Sequence, residues 1–239
     1  MRLIIKHYWD IDIPFTEIHN MYHGLIYFSL KSHNLNTKDF SKSDYSFKLP
    51  LFKILEKNKI YEMEFTTINK DIIEKIKTLQ YNNLKIVEII EDDNLVLSNF
   101  ININSYHSLL YKNICDKWFI DTLGKKNINY KKEHSLILLK ELIEVQAFNI
   151  FSKHSNLKIE TNKKLDNGYE YYSFIKNIKI LKEKFIRIKN FYVPTYDLLI
   201  EVETSRTTNR LLNILLQTGV GCKNGYGLGS IKCVSREGY

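Results

Sequence analysis

The chain has 239 residues, of which 44% are hydrophobic, so it is long enough to bury the core of one large domain or of two small ones. Its 35 Lys and Arg residues against 27 Asp and Glu residues give a formal charge of +8, which favours an anionic partner. A charge interrupts the N-terminal apolar stretch and no apolar run reaches transmembrane length, so neither a secretory signal nor a membrane span is predicted. The cysteines lack metal-binding spacing and predict reduced thiols in the cytoplasm: Cys115, Cys222 and Cys233.

The first hundred residues predict an alternation of strands and helices. Polar and apolar residues alternate in the strands, and apolar residues recur every three or four positions in the helices. In chain order these elements are a strand at 2–9, a helix at 16–33, a strand at 61–66, a helix from Asn69, and strands at 84–90 and 95–103 that are joined by a turn. This order predicts a ferredoxin-like unit, the architecture of RNA recognition modules.

The second half of the sequence predicts a similar order of elements. They are a helix at 133–151, a strand at 157–163, paired strands at 184–193 and 197–204 around Pro194, a helix at 205–217 and a strand at 230–234. A second ferredoxin-like unit fits this order, and the predicted fold class is α+β with tandem ferredoxin-like domains. We place the N-terminal domain, with the candidate catalytic residues, at 1–104 and the C-terminal domain at 105–239.

A glycine-rich run near the C-terminus is the most informative motif. Glycine tolerates positive φ and close backbone approach, so glycines around one lysine predict bare N–H groups that are presented to phosphates. The run follows a helix and precedes a strand, whereas mononucleotide loops follow a strand and open a helix, so a polynucleotide is favoured over a nucleotide. A glycine-rich turn or bulge is the other interpretation. The glycines are Gly219, Gly221, Gly225, Gly227 and Gly229.

This run resembles the glycine-rich motif of the repeat-associated RNA-binding superfamily, and within it the CRISPR-associated endoribonucleases that process precursor CRISPR RNA. The matching positions are Gly219, Gly221, Lys223, Gly227 and Gly229. A weaker match runs from Ile13-Pro14 through Gly24–Tyr27 to Phe47–Leu49. The resemblance implies two ferredoxin-like domains with RNA along their joint surface.

The resemblance also implies an activity and partners. It implies cleavage of CRISPR repeat RNA without a metal ion or another cofactor, leaving a 2′,3′-cyclic phosphate and a 5′-hydroxyl. Further subunits of a CRISPR effector complex are the implied protein partners. Replacing Gly221 or Gly227 by a bulky residue is expected to weaken RNA binding without unfolding the protein.

Such cleavage needs groups that move protons and stabilise a charged phosphorane, and His, Lys and Tyr suit these tasks. In the resembled family a histidine after the first helix acts with a helix tyrosine and a later lysine, which Tyr27 and Lys48 match. No histidine falls at the family's position: His33 is the nearest one, and Lys42 occupies the place itself. The general base is left open between His33 and Lys42, and a core or helix-end histidine is the other interpretation of His33.

Further residues are candidates for RNA contact. His19 and His23 are one helical turn apart and are expected to face RNA or solvent, since no third ligand accompanies them to hold a metal ion. Arg187 lies in a basic stretch with interleaved aromatic residues, which suits phosphate contact and base stacking or, alternatively, a solvated strand face. Arg206 and Arg210, on the helix before the glycine run, are expected to reach the same RNA.

Three functions stay open at this point. The first is a metal-independent endoribonuclease. The second is a non-catalytic RNA-binding subunit of a CRISPR effector complex, which the absent family histidine favours. The third is a small-molecule enzyme that uses the glycine run for a phosphorylated ligand.

Overall fold

The computed structural model describes residues 1–32, 44–49, 54–79, 81–92, 97–107, 110–111, 127–128, 135–165, 169–222 and 224–235. Within these ranges the chain forms two four-stranded antiparallel sheets, each packed with two helices around a core of its own. No helix in the described ranges has the length and apolar character that crossing a membrane requires.

The first sheet belongs to the N-terminal unit. In chain order the elements are β1 (Arg2–Trp9), β2 (Ile13–Pro14), α1 (Phe15–Ser32), β3 (Tyr45–Lys48), β4 (Ile54–Leu55), β5 (Tyr61–Thr67), α2 (Lys70–Lys77) and β6 (Leu84–Glu91). The strand order in the sheet is β3-β5-β1-β6, and every neighbouring pair is antiparallel. The short strands β2 and β4 pair with each other beside the sheet.

Local patterns explain these elements. Alternate side chains of β1, from Leu3 to Trp9, are buried, as the sequence predicts for a strand with one face on the core. The apolar stripe of α1 is buried from Ile18 to Leu30. The Asn69 side chain accepts a hydrogen bond from the Asp71 backbone N–H at 2.9 Å and so caps the start of α2.

The second unit repeats the same order of elements. They are β7 (Phe100–Tyr106), β8 (Leu110–Tyr111), β9 (Asn127–Ile128), α3 (Leu136–His154), β10 (Lys163–Lys164), β11 (Glu170–Tyr171), β12 (Ile175–Ile188), β13 (Phe191–Val202), α4 (Arg206–Thr218) and β14 (Ser230–Cys233). The main sheet has the order β12-β13-β7-β14, which matches the first sheet strand for strand. The predicted fold class, α+β with tandem ferredoxin-like units, is confirmed.

Two strand predictions in this region were wrong. The predicted strand at 157–163 is absent apart from its last residue, because β10 covers only Lys163–Lys164. The hairpin turn lies at Lys189–Asn190, and Pro194 lies inside β13. Proline is tolerated there because the pairing of β13 with β7 begins only at Tyr196, so Pro194 has a single neighbouring strand, β12.

The strand β7 pairs with the second sheet and not with β6. The sequence predicts it as the last strand of the N-terminal domain, but its hydrogen-bonded neighbours are β13 and β14. Ile101 and Ile103 accordingly lie in the second core. By strand pairing, the two units separate between Glu91 and Phe100, so we propose this position for the domain boundary in place of residue 104.

A buried carboxylate holds the base of the long β12–β13 hairpin. Glu144 of α3 is fully buried, and its Oε1 accepts hydrogen bonds from Ser173 Oγ and from the backbone N–H groups of Phe174 and Ile175, each at 2.8 Å. Burial raises the pKa of this carboxyl group. The contact ties the start of β12 to α3 and thereby supports the hairpin that extends towards α1.

Candidate functional site

The glycine run is a buried connection between α4 and β14. Residues 224–230 are all buried, and Tyr226 and Leu228 pack in a small apolar cluster with Ile186, Ile188 and Val193 of the hairpin. The run therefore lies where α1, β3 and the hairpin meet. It fastens the second unit to the first.

The backbone N–H groups of the glycine run are largely used inside the protein. Gly219 N–H donates to Leu215 O at 2.7 Å, Gly227 N–H to Asn224 O at 2.8 Å and Gly229 N–H to Asn104 O at 2.9 Å. The expectation of bare N–H groups that face a phosphate chain is wrong for these three glycines. The same hydrogen bonds count against a phosphate-binding nest for a small ligand. Contact of the run with RNA stays a prediction.

Positive φ and close packing explain most of the glycines. Gly219, Gly221, Gly227 and Gly229 have φ between 71° and 96°. A Cβ atom would lie 2.9 Å from His107 O at Gly221 and 2.8 Å from Phe47 Cε2 at Gly227. Bulky residues at these two positions strain the fold, which contradicts the expectation that such variants fold normally. Gly225 has no such restriction.

His19 is part of the contact between α1 and the glycine run. Its side chain is only 2% exposed, and its Nδ1 lies 2.6 Å from Tyr226 O. The expectation that His19 faces RNA or solvent is therefore wrong, because the docked glycine run covers it. Among the described residues no group of three His, Cys, Asp or Glu side chains is placed to hold a metal ion.

His23 lies one turn further along α1 at the edge of the same contact. Its Nδ1 lies 2.5 Å from Gly225 O, and its ring stacks on Tyr226 with 3.9 Å between centroids. A carbonyl oxygen accepts only, so Nδ1 carries the hydrogen in this contact and Nε2 is the basic nitrogen of the neutral ring. The stacking fixes the plane of the imidazole.

His23 lines a cleft of about 450 Å³, which we call the α1 cleft. One wall is α1, the opposite wall is the hairpin turn, and Tyr226 lies between them. Arg187 Nη1 pairs with Glu17 Oε1 at 3.2 Å, and Lys189 N–H donates to Asn20 Oδ1 at 3.0 Å, so the hairpin is fastened to the helix. The lining residues are Glu17, Asn20, His23, Arg187, Lys189, Asn190 and Tyr226.

Tyr27 and Lys48 lie in different surroundings. The Tyr27 ring is 39% exposed and lies 6.1 Å from the His23 ring. Lys48 instead lines a second cleft of about 430 Å³ between the two sheets, together with Lys182 and Lys232. Burial, and next the charge of Lys232, lower the pKa of Lys48.

Other predicted site residues are not brought to the α1 cleft. Arg206 and Arg210 are exposed on the first turns of α4, about 20 Å and about 14 Å along the helix axis from the glycine run. His33, Lys42 and Lys223 lie outside the described residues. Of the predicted set, the structure joins His23, Arg187 and Gly225 at one place.

Sequence reasoning missed Asn20 and Tyr226 as lining residues, whereas Lys189 belongs to the same basic stretch as Arg187. The signal for Tyr226 was available, because it is the single aromatic residue inside the glycine run. Asn20 lies one turn before His23 on the same helix face, so helical spacing also pointed to it.

We expect the free energy of unfolding to decrease as the pH falls below about 6.5. Burial holds the pKa of His19 below its ordinary value of 6.5, so the unfolded chain takes up the proton first and is stabilised relative to the folded one. Urea unfolding at neutral and at mildly acidic pH measures the loss. His19→Asn keeps a donor for the Tyr226 carbonyl without titrating, and it should lose less. Equal losses in both proteins would contradict this origin.

Comparisons with known proteins show the fold. Neither a protein-family model nor a curated protein matches the sequence. A CRISPR-associated protein Cas6 aligns over 98% of this chain and 99% of its own, at 17% identity and a TM-score of 0.64. A RAMP protein that binds different RNA substrates aligns over 98% and 100%, at 15% identity and a TM-score of 0.68. A Cas6-related protein from Pyrococcus furiosus aligns over 99% of both chains, at 14% identity and a TM-score of 0.65. The chain therefore has the tandem ferredoxin-like fold of the Cas6 and RAMP proteins over nearly its whole length.

Proposed function

We propose that this protein binds CRISPR repeat RNA and cleaves it as a metal-independent endoribonuclease at the α1 cleft. The observation that carries the proposal is the convergence of the oriented His23 imidazole with Arg187 and Lys189 in one open cleft. The fold supports it, because similar structures include Cas6 and a RAMP protein that binds RNA. The sequence motif of the glycine run points to the same class.

The chemistry follows from the groups in the cleft. His23 Nε2 takes the proton from the 2′-hydroxyl, whose oxygen attacks the adjacent phosphorus and forms a cyclic phosphorane. Arg187 and Lys189 stabilise the added negative charge. The P–O5′ bond then breaks and the 5′-oxygen takes up a proton, which leaves a 2′,3′-cyclic phosphate and a 5′-hydroxyl. Tyr27, next to His23, is a candidate donor of that proton.

The roles predicted for the other catalytic candidates stay predictions. His33 and Lys42 are rivals of His23 for the general base, since nothing in the described ranges bears on them. Lys48 lies in the cleft between the sheets, where its lowered pKa and the neighbouring Lys232 suit contact with the RNA backbone.

A second candidate function is RNA binding without cleavage, as a subunit of a CRISPR effector complex. One observation favours it: the Glu17 carboxylate lines the α1 cleft and pairs with Arg187. It therefore repels a phosphate and neutralises one of the two positive charges of the cleft. An endoribonuclease requires RNA to displace Glu17 from Arg187. A binding subunit requires no such step.

Product analysis separates the two functions. The protein is incubated with a panel of hairpin-forming CRISPR repeat RNAs in the presence of EDTA, and the ends of any fragments are characterised. We expect one cut per repeat, with a 5′ end that polynucleotide kinase labels directly and a cyclic phosphate at the 3′ end. Retention of intact RNA in a gel shift would favour the binding subunit. The absence of both cleavage and binding would contradict both functions.

A further inference from the structure

The outer face of α1 contains a glycine that packing among the described residues does not explain. Gly24 is near the middle of α1, where glycine destabilises a helix relative to alanine. Most glycines of the glycine run leave no room for a side chain, whereas a Cβ atom at Gly24 meets nothing within 4 Å in the described part of the chain. Among the described residues the helix surface is therefore open at this position, next to His23 in the chain.

Aromatic rings continue from the α1 cleft past this opening. The Tyr226 ring stacks on His23, the His23 ring is followed by Tyr27 at 6.1 Å, and Tyr27 is followed by Phe28 at 5.8 Å. Tyr27 and Phe28 follow Gly24 by three and four residues, so they lie one turn away on the same face. Their side chains are 39% and 56% exposed, so two neighbouring rings present apolar surface to solvent beside the opening.

Charge on both sides of this surface favours an anion. Arg187 and Lys189 lie in the α1 cleft at one end, where Glu17 offsets one of the two charges until RNA displaces it from Arg187. Lys31 is exposed on the next turn beyond Tyr27 at the other end. A ligand with a flat apolar part and flanking negative charges suits this arrangement, and an unpaired nucleotide within an RNA strand has both.

We propose that Gly24, Tyr27 and Phe28 form a subsite for one unpaired nucleotide of the RNA, next to the phosphate in the α1 cleft. The base packs over the bare helix surface at Gly24 and stacks on the exposed ring of Phe28, while its phosphates lie towards Arg187 and Lys31. This inference rests on the proposed function, because it assumes that the α1 cleft holds RNA. It adds that the protein requires an unpaired base at one defined position.

The test uses variants that change the subsite without loosening the fold. Gly24→Gln fills the opening. Because glutamine favours the helical conformation more than glycine does, the Tm of this variant is expected to be about 1–4 °C higher than that of the native protein. Phe28→Ala removes the stacking ring. Ile137→Ala is the matched control, since Ile137 is 69% exposed on α3, away from the α1 cleft. The probe is a fluorescent CRISPR repeat RNA, intact or with single abasic positions.

For intact RNA we expect Phe28→Ala to raise Kd by about 5- to 140-fold and Gly24→Gln to raise it at least as much, while Ile137→Ala leaves it unchanged. An abasic site at one position should weaken binding to the native protein and cancel the effect of Phe28→Ala. If the native protein binds RNA and both subsite variants bind equally well, the subsite is wrong and the proposed function stands. If the native protein binds no RNA, both are wrong.

Discussion

Replacing His23 with alanine is expected to slow single-turnover cleavage of repeat RNA by about 10²- to 10⁴-fold, the usual contribution of a general base. The imidazole is oriented by Gly225 O and Tyr226 rather than being part of the core, so the variant is expected to fold and to keep most of its RNA affinity. Cleavage by the native protein should fall in acid, because only neutral imidazole accepts a proton. Quenched-flow or manual time courses at saturating protein measure these rates.

Matched variants identify the base. His154→Ala removes a histidine of α3 that lies outside the α1 cleft, and its rate should be unchanged. His33→Ala and Lys42→Ala test the two rivals. If His23→Ala cleaves at the full rate and one of these two variants does not, the residue replaced in that variant is the general base. A rate that keeps rising well above neutral pH would point to Lys42.

Gly229→Ala is expected to lower the free energy of unfolding by about 3 kcal/mol or more, from left-handed backbone strain and overpacking together. Gly229 has φ of 71°, and a Cβ atom there would lie 1.9 Å from Val220 O. The clash also breaks the hydrogen bond from Val220 N–H to Gly229 O at 2.9 Å. For a chain of this size the expected fall in Tm is about 6–12 °C, which calorimetry or circular dichroism measures.

Gly225→Ala is the control for the same run. A Cβ atom at Gly225 would lie 3.4 Å from Tyr45 Oη, an ordinary contact, and its φ is not positive. We expect the Tm of this variant to lie within about 2 °C of that of the native protein, a change as small as that of an ordinary surface substitution. A Gly229→Ala protein that melts like Gly225→Ala would refute the packing argument.

The secondary structure was largely readable from the sequence. Alternation in β1, the stripe of α1 and the start of α2 at Asn69 are local signals, because they depend on neighbours within a few residues. The tandem ferredoxin-like fold followed from the order of these elements and from the glycine motif. The assignment of β7 to the second sheet did not follow from them, because its partner strands lie about ninety residues or more downstream in the chain.

The site depended on tertiary structure. His19 and His23 are one turn apart and look equivalent in the sequence, and only the docking of the glycine run buries the first and leaves the second at a cleft. Nor could the sequence show that Gly229 donates its N–H group inside the protein, since its acceptor, Asn104 O, belongs to the distant strand β7. The sequence by itself determined the set of secondary-structure elements and the residues whose side chains can transfer protons or bind phosphate. The tertiary structure decided which of those residues meet, because burial and hydrogen bonding between distant segments are set by packing and not by local pattern.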